Sequence, residues 1–222
     1  MPRVTFKFDI VKDAVNYYMA SNSDSLWGHD FSKAVKPEIT NKVRGKTWEN
    51  SRSYLIKMLE KGYSADKKIN QKRSRIIKSS WKKVEKRYFR KLEKITKRKI
   101  YIDKFTCYFT TIGRCPYNYK GNWFMVNIFS HDIKRTAAHE LMHLQFHYYF
   151  QDYVEDKLGH SKFEDLKEAL TVLLNIEFKD ITDKKDTGYP NHQKLRKFIV
   201  EQWKKEPDFD ILIDKCVNYL KK

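Results

Sequence analysis

The hydrophobic periodicity of the chain changes near residue 100, and this change sets the expected fold class. Residues 9–19 and 51–59 repeat apolar side chains at helical spacing. A β-branched and aromatic run then covers 100–112, and a second strand pattern covers 122–129. Because the turn between these runs is too short for a crossover helix, we expect them to pair antiparallel. The sequence therefore predicts an α+β fold: a mostly helical N-terminal half, then a small antiparallel sheet followed by further helices.

Positive charge is concentrated just before that change. Residues 61–99 contain 17 Lys and Arg against 3 Asp and Glu, in a chain whose formal net charge is +18. Apolar residues recur through this segment at steps of three and four, which predicts one long amphipathic helix. They are Ile77, Trp81, Val84, Tyr88, Leu92 and Ile95. We expect a helical basic region at 1–99 and a second unit, the core, at 100–222. The basic helix suits contact with a nucleic acid or other polyanion, or it forms only a solvated cationic face.

More helices are expected after the strands. One should begin near Asp132, a suitable N-cap, and its C-terminal limit stays open as far as Gly159. A Ser-x-x-Glu capping box that ends at Glu164 predicts a helix at 162–178, which is apolar enough to be buried. Two short amphipathic helices are expected at 192–204 and 210–220.

The cysteines and the N-terminus bear on the compartment. Cys107, Cys115 and Cys216 are few and odd in number, and their spacing fits neither a zinc knuckle nor a redox pair. Charged residues interrupt the first 20 positions, which therefore do not have the form of a signal peptide or a spanning helix. We expect a reducing, cytoplasmic location and no membrane contact.

The segment most informative about chemistry is His139-Glu140-x-x-His143. Residues four apart on a helix share one face with Cβ atoms roughly 5–6 Å apart, so the two imidazoles can bind one ion. Glu140 points to the flank of that pair and can reach a water in the ion's open position. The spacing predicts a metal site at His139 and His143 with Glu140 as general base.

This segment resembles the H-E-x-x-H motif of the zincin superfamily of zinc metallopeptidases. The resemblance covers about 100–178, with Gln145 standing where a hydrophobic residue is usual. It implies Zn²⁺ as cofactor, a metal-bound water as nucleophile and a protein or peptide substrate. It also implies that the peptide binds as an extra strand along an exposed edge strand, here 122–129.

The third metal ligand has several candidates in the sequence. Glu168 precedes an alanine, as the third ligand of gluzincins often does, and the resemblance therefore favours it. If the metal helix runs to Gly159 and the next helix returns antiparallel to it, helix rise places Glu177 nearer the level of His143. Glu168 would reach that level only if the metal helix ended near Phe150. His160 is a further alternative in a turn.

Other side chains have open roles. His147 lies about 12 Å along the helix axis from His139, too far to bind the same ion. The resemblance also implies an electrophile for the developing oxyanion, and the candidates are His192, Tyr189 and Tyr153.

A second function class also fits the sequence. The chain could be a nucleic-acid-associated binding protein whose metal site is structural or vestigial. A protease acting on DNA-bound proteins, as SprT-like enzymes do, would unite both features, but those enzymes use a third histidine that this chain does not offer at that spacing.

Overall fold

The computed structural model describes residues 1–25 and 27–221 and has the expected α+β fold. Leu26, within the predicted basic region, and Lys222, the end of the predicted core, lie outside the described residues. The strands are β1 (Arg3–Lys7), β2 (Lys104–Thr110), β3 (Tyr117–Asn118) and β4 (Trp123–Asn127). The helices are α1 (Ile10–Ser21), α2 (Pro37–Val43), α3 (Trp48–Ala65), α4 (Lys67–Lys82), α5 (Glu85–Thr96), α6 (Ile133–Leu170), α7 (Leu174–Glu177), α8 (Gln193–Lys205) and α9 (Phe209–Leu220).

The four strands form a mixed sheet in the order β1-β2-β4-β3. Strands β1 and β4 both run parallel to β2, and β3 alone is antiparallel, to β4. The prediction of an antiparallel pair between the two strand runs was therefore wrong. The segment between β2 and β4 contains no helix, but it includes β3 and a turn at Asn122 (φ 53°). The antiparallel hairpin therefore joins β3 to β4, not β2 to β4.

The outer edge of the sheet differs from the predicted one. Residues 122–129 were expected to form an exposed edge, but β4 lies between β2 and β3. The amide of Met125 also donates to the carbonyl of Pro116 (2.8 Å), which extends the cover over β4. On this side the sheet therefore ends at β3 and the residues just before it, not at β4.

The predicted apolar stripe of the basic segment is buried, but on two helices rather than one. Helix α4 ends at Lys82 and α5 begins at Glu85. The Glu85 carboxylate accepts hydrogen bonds from the Trp81 indole (2.9 Å) and the backbone amide of Val4 (2.7 Å). Glu85 thus ties the break in the helix to β1, a long-range contact that periodicity does not reveal.

Two hydrophobic clusters hold the described residues together. The larger one packs the sheet against α4, α5, α6, α8 and α9, and the smaller one joins α1, α2 and α3 to Ile112. Phe6 of β1 belongs to the larger cluster, so residues on both sides of position 100 contribute to it. The division of the chain into two units at residue 99 remains a prediction.

Helix α6 carries the metal motif and is longer than expected. It begins after Asp132, as predicted, and stays helical as far as Gly159, where φ 75° and ψ 167° redirect the chain. Of the two ends left open, the one at Gly159 is observed, and the end near Phe150 that Glu168 was expected to require is not. The predicted capping box was wrong, because Ser161 already lies within the helix and the Glu164 carboxylate accepts a hydrogen bond from Lys167 (2.6 Å) instead.

Two further expectations concern the whole described chain. The cysteines Cys107, Cys115 and Cys216 are free thiols. Among the described helices, none is both long enough and apolar enough to cross a bilayer.

Candidate metal centre

The two motif histidines face each other from one side of α6. Their Nε2 atoms lie 2.8 Å apart, as expected for side chains one helical turn apart that point into the same space. His143 is buried, with 1% of its side chain exposed, whereas His139 retains 15%. The opposite faces of this part of α6 pack in the larger hydrophobic cluster through Ala137, Ala138, Leu141 and Leu144, which fixes how the histidines point.

Glu168 completes the cluster. Its Oε1 lies 3.2 Å from Nε2 of His143, and its Oε2 lies 3.4 Å from Nε2 of His139. The three residues thus offer one ligand atom each within 4.8 Å of one another. The structure brings together the three residues that the sequence predicted as ligands.

Glu168 reaches the histidines although α6 does not end near Phe150. A straight antiparallel return from Gly159 would leave Glu168 level with Phe150, about 10 Å from the level of His143. The segment after Gly159 therefore does not retrace α6 residue for residue. Phe163 already stacks on Phe146, with ring centroids 5.4 Å apart, so the turn at Gly159 returns the chain directly to the half of α6 that carries His139 and His143.

The sequence did not reveal Asp186, which orients His139. Its Oδ2 accepts a hydrogen bond from Nδ1 of His139 (2.7 Å), which leaves Nε2 facing the cluster. Arg196 and Thr171 donate to its other oxygen, each at 3.0 Å, and the Asn175 amide bonds both its backbone N–H and its C=O (2.7 Å each). A lone aspartate in a polar loop 47 positions downstream carries no sequence signal for this role.

The two imidazoles differ in protonation. Burial would lower the pKa of His139, but the Asp186 carboxylate and the hydrogen bonds to Asp186 and Glu168 raise it to about 10. Burial lowers the pKa of His143 to about 3. Burial opposes ionisation of Glu168, yet His143, His139 and Lys167 hold its pKa well below the usual range. The cluster therefore contains an ionised carboxylate beside a neutral imidazole.

Lys167 is a buried ammonium beside these ligands. Only 2% of its side chain is exposed, and its Nζ lies 2.6 Å from Glu164 and 3.3 Å from Oε1 of Glu168. It also donates to the hydroxyl of Tyr117. Burial disfavours the charge, but Glu168, Tyr117 and Glu164 outweigh this and raise the pKa of Lys167. Lys167 thus neutralises one oxygen of Glu168 and leaves Oε2 for another partner.

Glu140 has the location expected of a general base. It lies one position after His139, is 6% exposed and lines the same cleft. Burial raises its pKa to about 8. A carboxylate that binds a proton this readily can accept one from a water and release it again.

The donor set fits zinc. Two imidazole nitrogens and one carboxylate oxygen are the ligands of catalytic zinc sites, which keep a fourth position open. Oε2 of Glu168 is buried, and its one polar contact among the described residues is the long 3.4 Å approach to Nε2 of His139, which leaves it able to bind a cation. The 2.8 Å between the Nε2 atoms of His139 and His143 is shorter than the roughly 3.3 Å edge of a tetrahedral zinc site, so a small rotation of the rings would accompany binding.

The cluster opens into a cleft of about 820 Å³. One wall is the segment 113–117 at the edge of the sheet, and another is the loop 186–190. Residues of the segment between α1 and α2 also line it, and Trp27 and Phe31 of that segment contact the ring of Tyr189. This cleft is large enough for several residues of a peptide.

The structure separates the remaining candidate ligands from the cluster. Glu177 accepts a hydrogen bond from the Trp203 indole (2.8 Å), and the exposed His160 pairs with Glu155 (2.7 Å). His147 does not reach the ligand atoms either, in agreement with the helix-rise estimate, and its Nε2 bonds the hydroxyl of Tyr117 (2.7 Å).

One of the three candidate electrophiles lines the cleft. The Tyr189 ring lies among its walls, and Glu168 and Glu140 are close enough to raise the pKa of its hydroxyl, after the larger effect of burial. His192 instead bonds Asp165 (3.0 Å) and is 3% exposed. Tyr153 hydrogen-bonds Asp214 on the surface, away from the cleft.

Searches against protein-family models, curated protein sequences and solved structures found no significant match to this chain. The comparison with zincins therefore depends on the motif and on the arrangement of side chains around it.

The basic segment presents a cationic surface on α4 and α5. Arg87 and Lys91 pair with Asp180 at 3.2 and 2.6 Å. Other exposed cations of this segment form no ion pair within the described part of the chain, among them Lys72, Arg75, Lys78, Lys82, Lys83, Lys86 and Arg90. This surface lies on different elements from those that line the cleft.

Proposed function

We propose that this protein is a zinc-dependent metallopeptidase of gluzincin type that hydrolyses peptide bonds in the cleft beside α6. One observation carries the proposal. His139, His143 and Glu168 converge on a common point, with Glu140 beside them in an open cleft. The three free cysteines are compatible with the cytoplasmic location that we propose for it.

The residues divide between holding the cation and moving a proton. His139, His143 and Glu168 would hold Zn²⁺, and Asp186 would keep His139 in the binding tautomer. Bound zinc supplies a Lewis acid that polarises a water molecule and the scissile carbonyl.

Glu140 and Tyr189 act on the reacting groups. A carboxylate oxygen of Glu140 accepts a proton from the attacking water while the oxygen of that water bonds to the carbonyl carbon. The same oxygen then delivers that proton to the amide nitrogen as the C–N bond breaks, which restores Glu140 to its ionised state. Tyr189, which lines the cleft, would donate a hydrogen bond from its hydroxyl to the oxyanion that forms between these steps.

Metal content and cleavage together test the proposal. We expect the purified protein to bind about one zinc ion, His139→Ala to lose it, and Glu140→Gln to keep it while peptide cleavage falls by about 10²–10⁴-fold. His160→Ala is the matched control, because that exposed histidine lies away from the cluster and its loss should change neither quantity. Cleavage at the wild-type rate in zinc-loaded Glu140→Gln protein would exclude this mechanism.

A second candidate function is binding of nucleic acid through the surface of α4 and α5, with the metal site structural or vestigial. The exposed cations without ion pairs favour it, because such groups release counterions when they bind phosphates.

Charge reversal separates this function from a general effect of net charge. Affinity for mixed-sequence DNA and RNA should fall steeply as the salt concentration rises. The combined substitutions Lys82→Glu, Lys83→Glu, Lys86→Glu and Arg90→Glu should make that fall less steep. The same reversal at four exposed lysines of α8, namely Lys194, Lys197, Lys204 and Lys205, changes the net charge equally and should have less effect. Equal effects of the two sets, or no binding at low salt, would contradict a specific surface.

A further inference from the structure

Arg114 differs from the other cations that line the cleft. Lys167 pairs with Glu168, and Arg135 pairs with Asp186 (3.5 Å). Arg114 forms no ion pair with any carboxylate in the described part of the chain, although it lines the same cleft as Glu140. Its positive charge is therefore available to a ligand.

A buried amide holds Arg114 in position. Nη1 of Arg114 donates to Oδ1 of Asn16 (2.8 Å), and Nδ2 of Asn16 donates back to the carbonyl of Arg114 (2.8 Å). Asn16 is 1% exposed and also donates to the hydroxyl of Thr110 (2.9 Å). Apart from this bond to Asn16, the guanidinium makes no hydrogen bond to the described residues, although it carries five N–H donors. The side chain is thus oriented in advance, with most of its donors unused.

The neighbours of Arg114 belong to the reactive part of the cleft. Burial lowers its pKa, whereas Tyr189, Cys115 and Glu140 are close enough to act in the opposite direction. An arginine nevertheless remains charged in proteins. Partial removal from water strengthens its hydrogen bonds to an anion, since the local dielectric is lower than in bulk water.

The most suitable anion is a carboxylate. The guanidinium fork matches the two oxygens of a carboxylate, and such bidentate pairs are among the strongest hydrogen bonds in proteins. The carboxylates of Asp24, Glu140 and Glu164 also line the cleft and oppose a more highly charged group such as a phosphate. Peptides carry carboxylates at the C-terminus and on Asp and Glu side chains.

We propose that Arg114 is a specificity-determining residue that binds a carboxylate of the peptide substrate. The inference deepens the proposed peptidase function and depends on it. It identifies the substrate class as peptides that place a C-terminal or side-chain carboxylate in the cleft next to the scissile bond.

The test measures binding rather than turnover. Zinc-loaded Glu140→Gln protein is incubated with three libraries of N-acetylated pentapeptides, and the retained peptides are quantified by mass spectrometry. One library has free C-termini and no acidic side chains, one is amidated and neutral, and one is amidated with Asp or Glu at internal positions. We expect about tenfold or greater retention of one carboxylate library over the neutral library, and the retained library identifies the source of the carboxylate.

Variants of Arg114 assign the preference. Arg114→Gln should abolish the difference between libraries while zinc content and thermal unfolding stay unchanged, and Arg114→Lys should retain part of it. Arg90→Gln removes one exposed charge that does not line the cleft and should leave the preference intact. Equal retention of all libraries, or a preference that survives Arg114→Gln, overturns the inference. If wild-type protein still cleaves peptides in that case, the peptidase proposal stands without it.

Discussion

Two buried carboxylates in this molecule have opposite surroundings. Asp13, on α1, is 0% exposed and accepts hydrogen bonds from the hydroxyls of Thr110 (2.5 Å), Thr111 (2.8 Å) and Tyr63 (3.0 Å). Glu168, on α6, is 6% exposed and faces imidazole nitrogens and an ammonium instead of neutral donors. Neutral hydroxyl groups satisfy the hydrogen-bonding capacity of Asp13. The neighbours of Glu168 are basic groups, which favour its negative charge.

The directions of the two pKa values express this difference. Burial raises the pKa of Asp13, because its neutral hydrogen-bond donors do not fully offset the loss of water. Burial acts in the same direction on Glu168, but His143, His139 and Lys167 reverse the result and lower its pKa. A buried carboxylate among neutral donors is typical of a structural role, whereas one kept ionised beside two imidazoles is typical of a candidate cation site.

The largest expected effect is on stability at Asp13. Asp13→Ala removes the acceptor for four donor groups and should lower the free energy of unfolding by about 2–4 kcal/mol, measured by urea denaturation of the metal-free protein. Glu168→Gln keeps the side-chain shape and leaves Lys167 paired with Glu164, so its loss should be smaller. A larger loss for Glu168→Gln would remove the distinction between the two regions.

Zinc should stabilise the protein through Glu168 and not through Asp13. At a free zinc concentration 100 times the dissociation constant, ligand linkage raises the free energy of unfolding by about 2.7 kcal/mol. We expect this increase in the wild type and in Asp13→Asn, and little of it in Glu168→Gln, by urea denaturation with and without zinc. An undiminished increase in Glu168→Gln would show that the cation binds elsewhere.

Asp186 should have a smaller, indirect effect on the metal. Asp186→Asn keeps the shape of the side chain but weakens the hydrogen bond that orients His139, so zinc affinity should fall by about 10–100-fold. Competition with a chromogenic chelator measures this change. Asp165→Asn is the matched control, since Asp165 bonds His192 away from the cluster. Similar losses in both variants would contradict the role assigned to Asp186.

The smallest expected effect is a pH dependence from Asp13. Because its pKa is raised in the folded state, the stability that Asp13 contributes is complete below its unfolded pKa of about 3.9 and is lost as pH rises through the raised folded pKa. The difference in unfolding free energy between wild type and Asp13→Asn should therefore shift against the wild type as pH increases. Urea denaturation of both proteins from pH 4 to pH 8 tests this sign.

Local patterns predicted much of this protein. The spans of α1, α8 and α9, the start of α6 and the burial of the apolar stripe all follow from periodicity and capping, which act within a few residues. The departure at Gln145 shows the limit of such patterns. Its amide donates to the carbonyl of Lys99 (3.1 Å), a contact 46 positions away that explains a polar side chain on a buried face.

Longer-range features were beyond sequence reasoning. Strand β1 and the parallel pairing of β2 with β4 depend on the path of the whole chain, and a crossover without a helix has no periodic signature. Glu168 was favoured through resemblance to gluzincins, while helix rise favoured Glu177. The turn at Gly159 reconciles the long helix with Glu168, and only three-dimensional coordinates reveal it.

The sequence by itself determined that His139, Glu140 and His143 share one helix, because the helical repeat fixes the relation between residues four apart. Tertiary structure alone decided that the carboxylate of Glu168 contacts the two histidines and that Asp186 orients His139. It also decided that Arg114 has no acidic partner among the described residues. Those relations join positions tens of residues apart, and they depend on how packed elements cross, which no local pattern encodes.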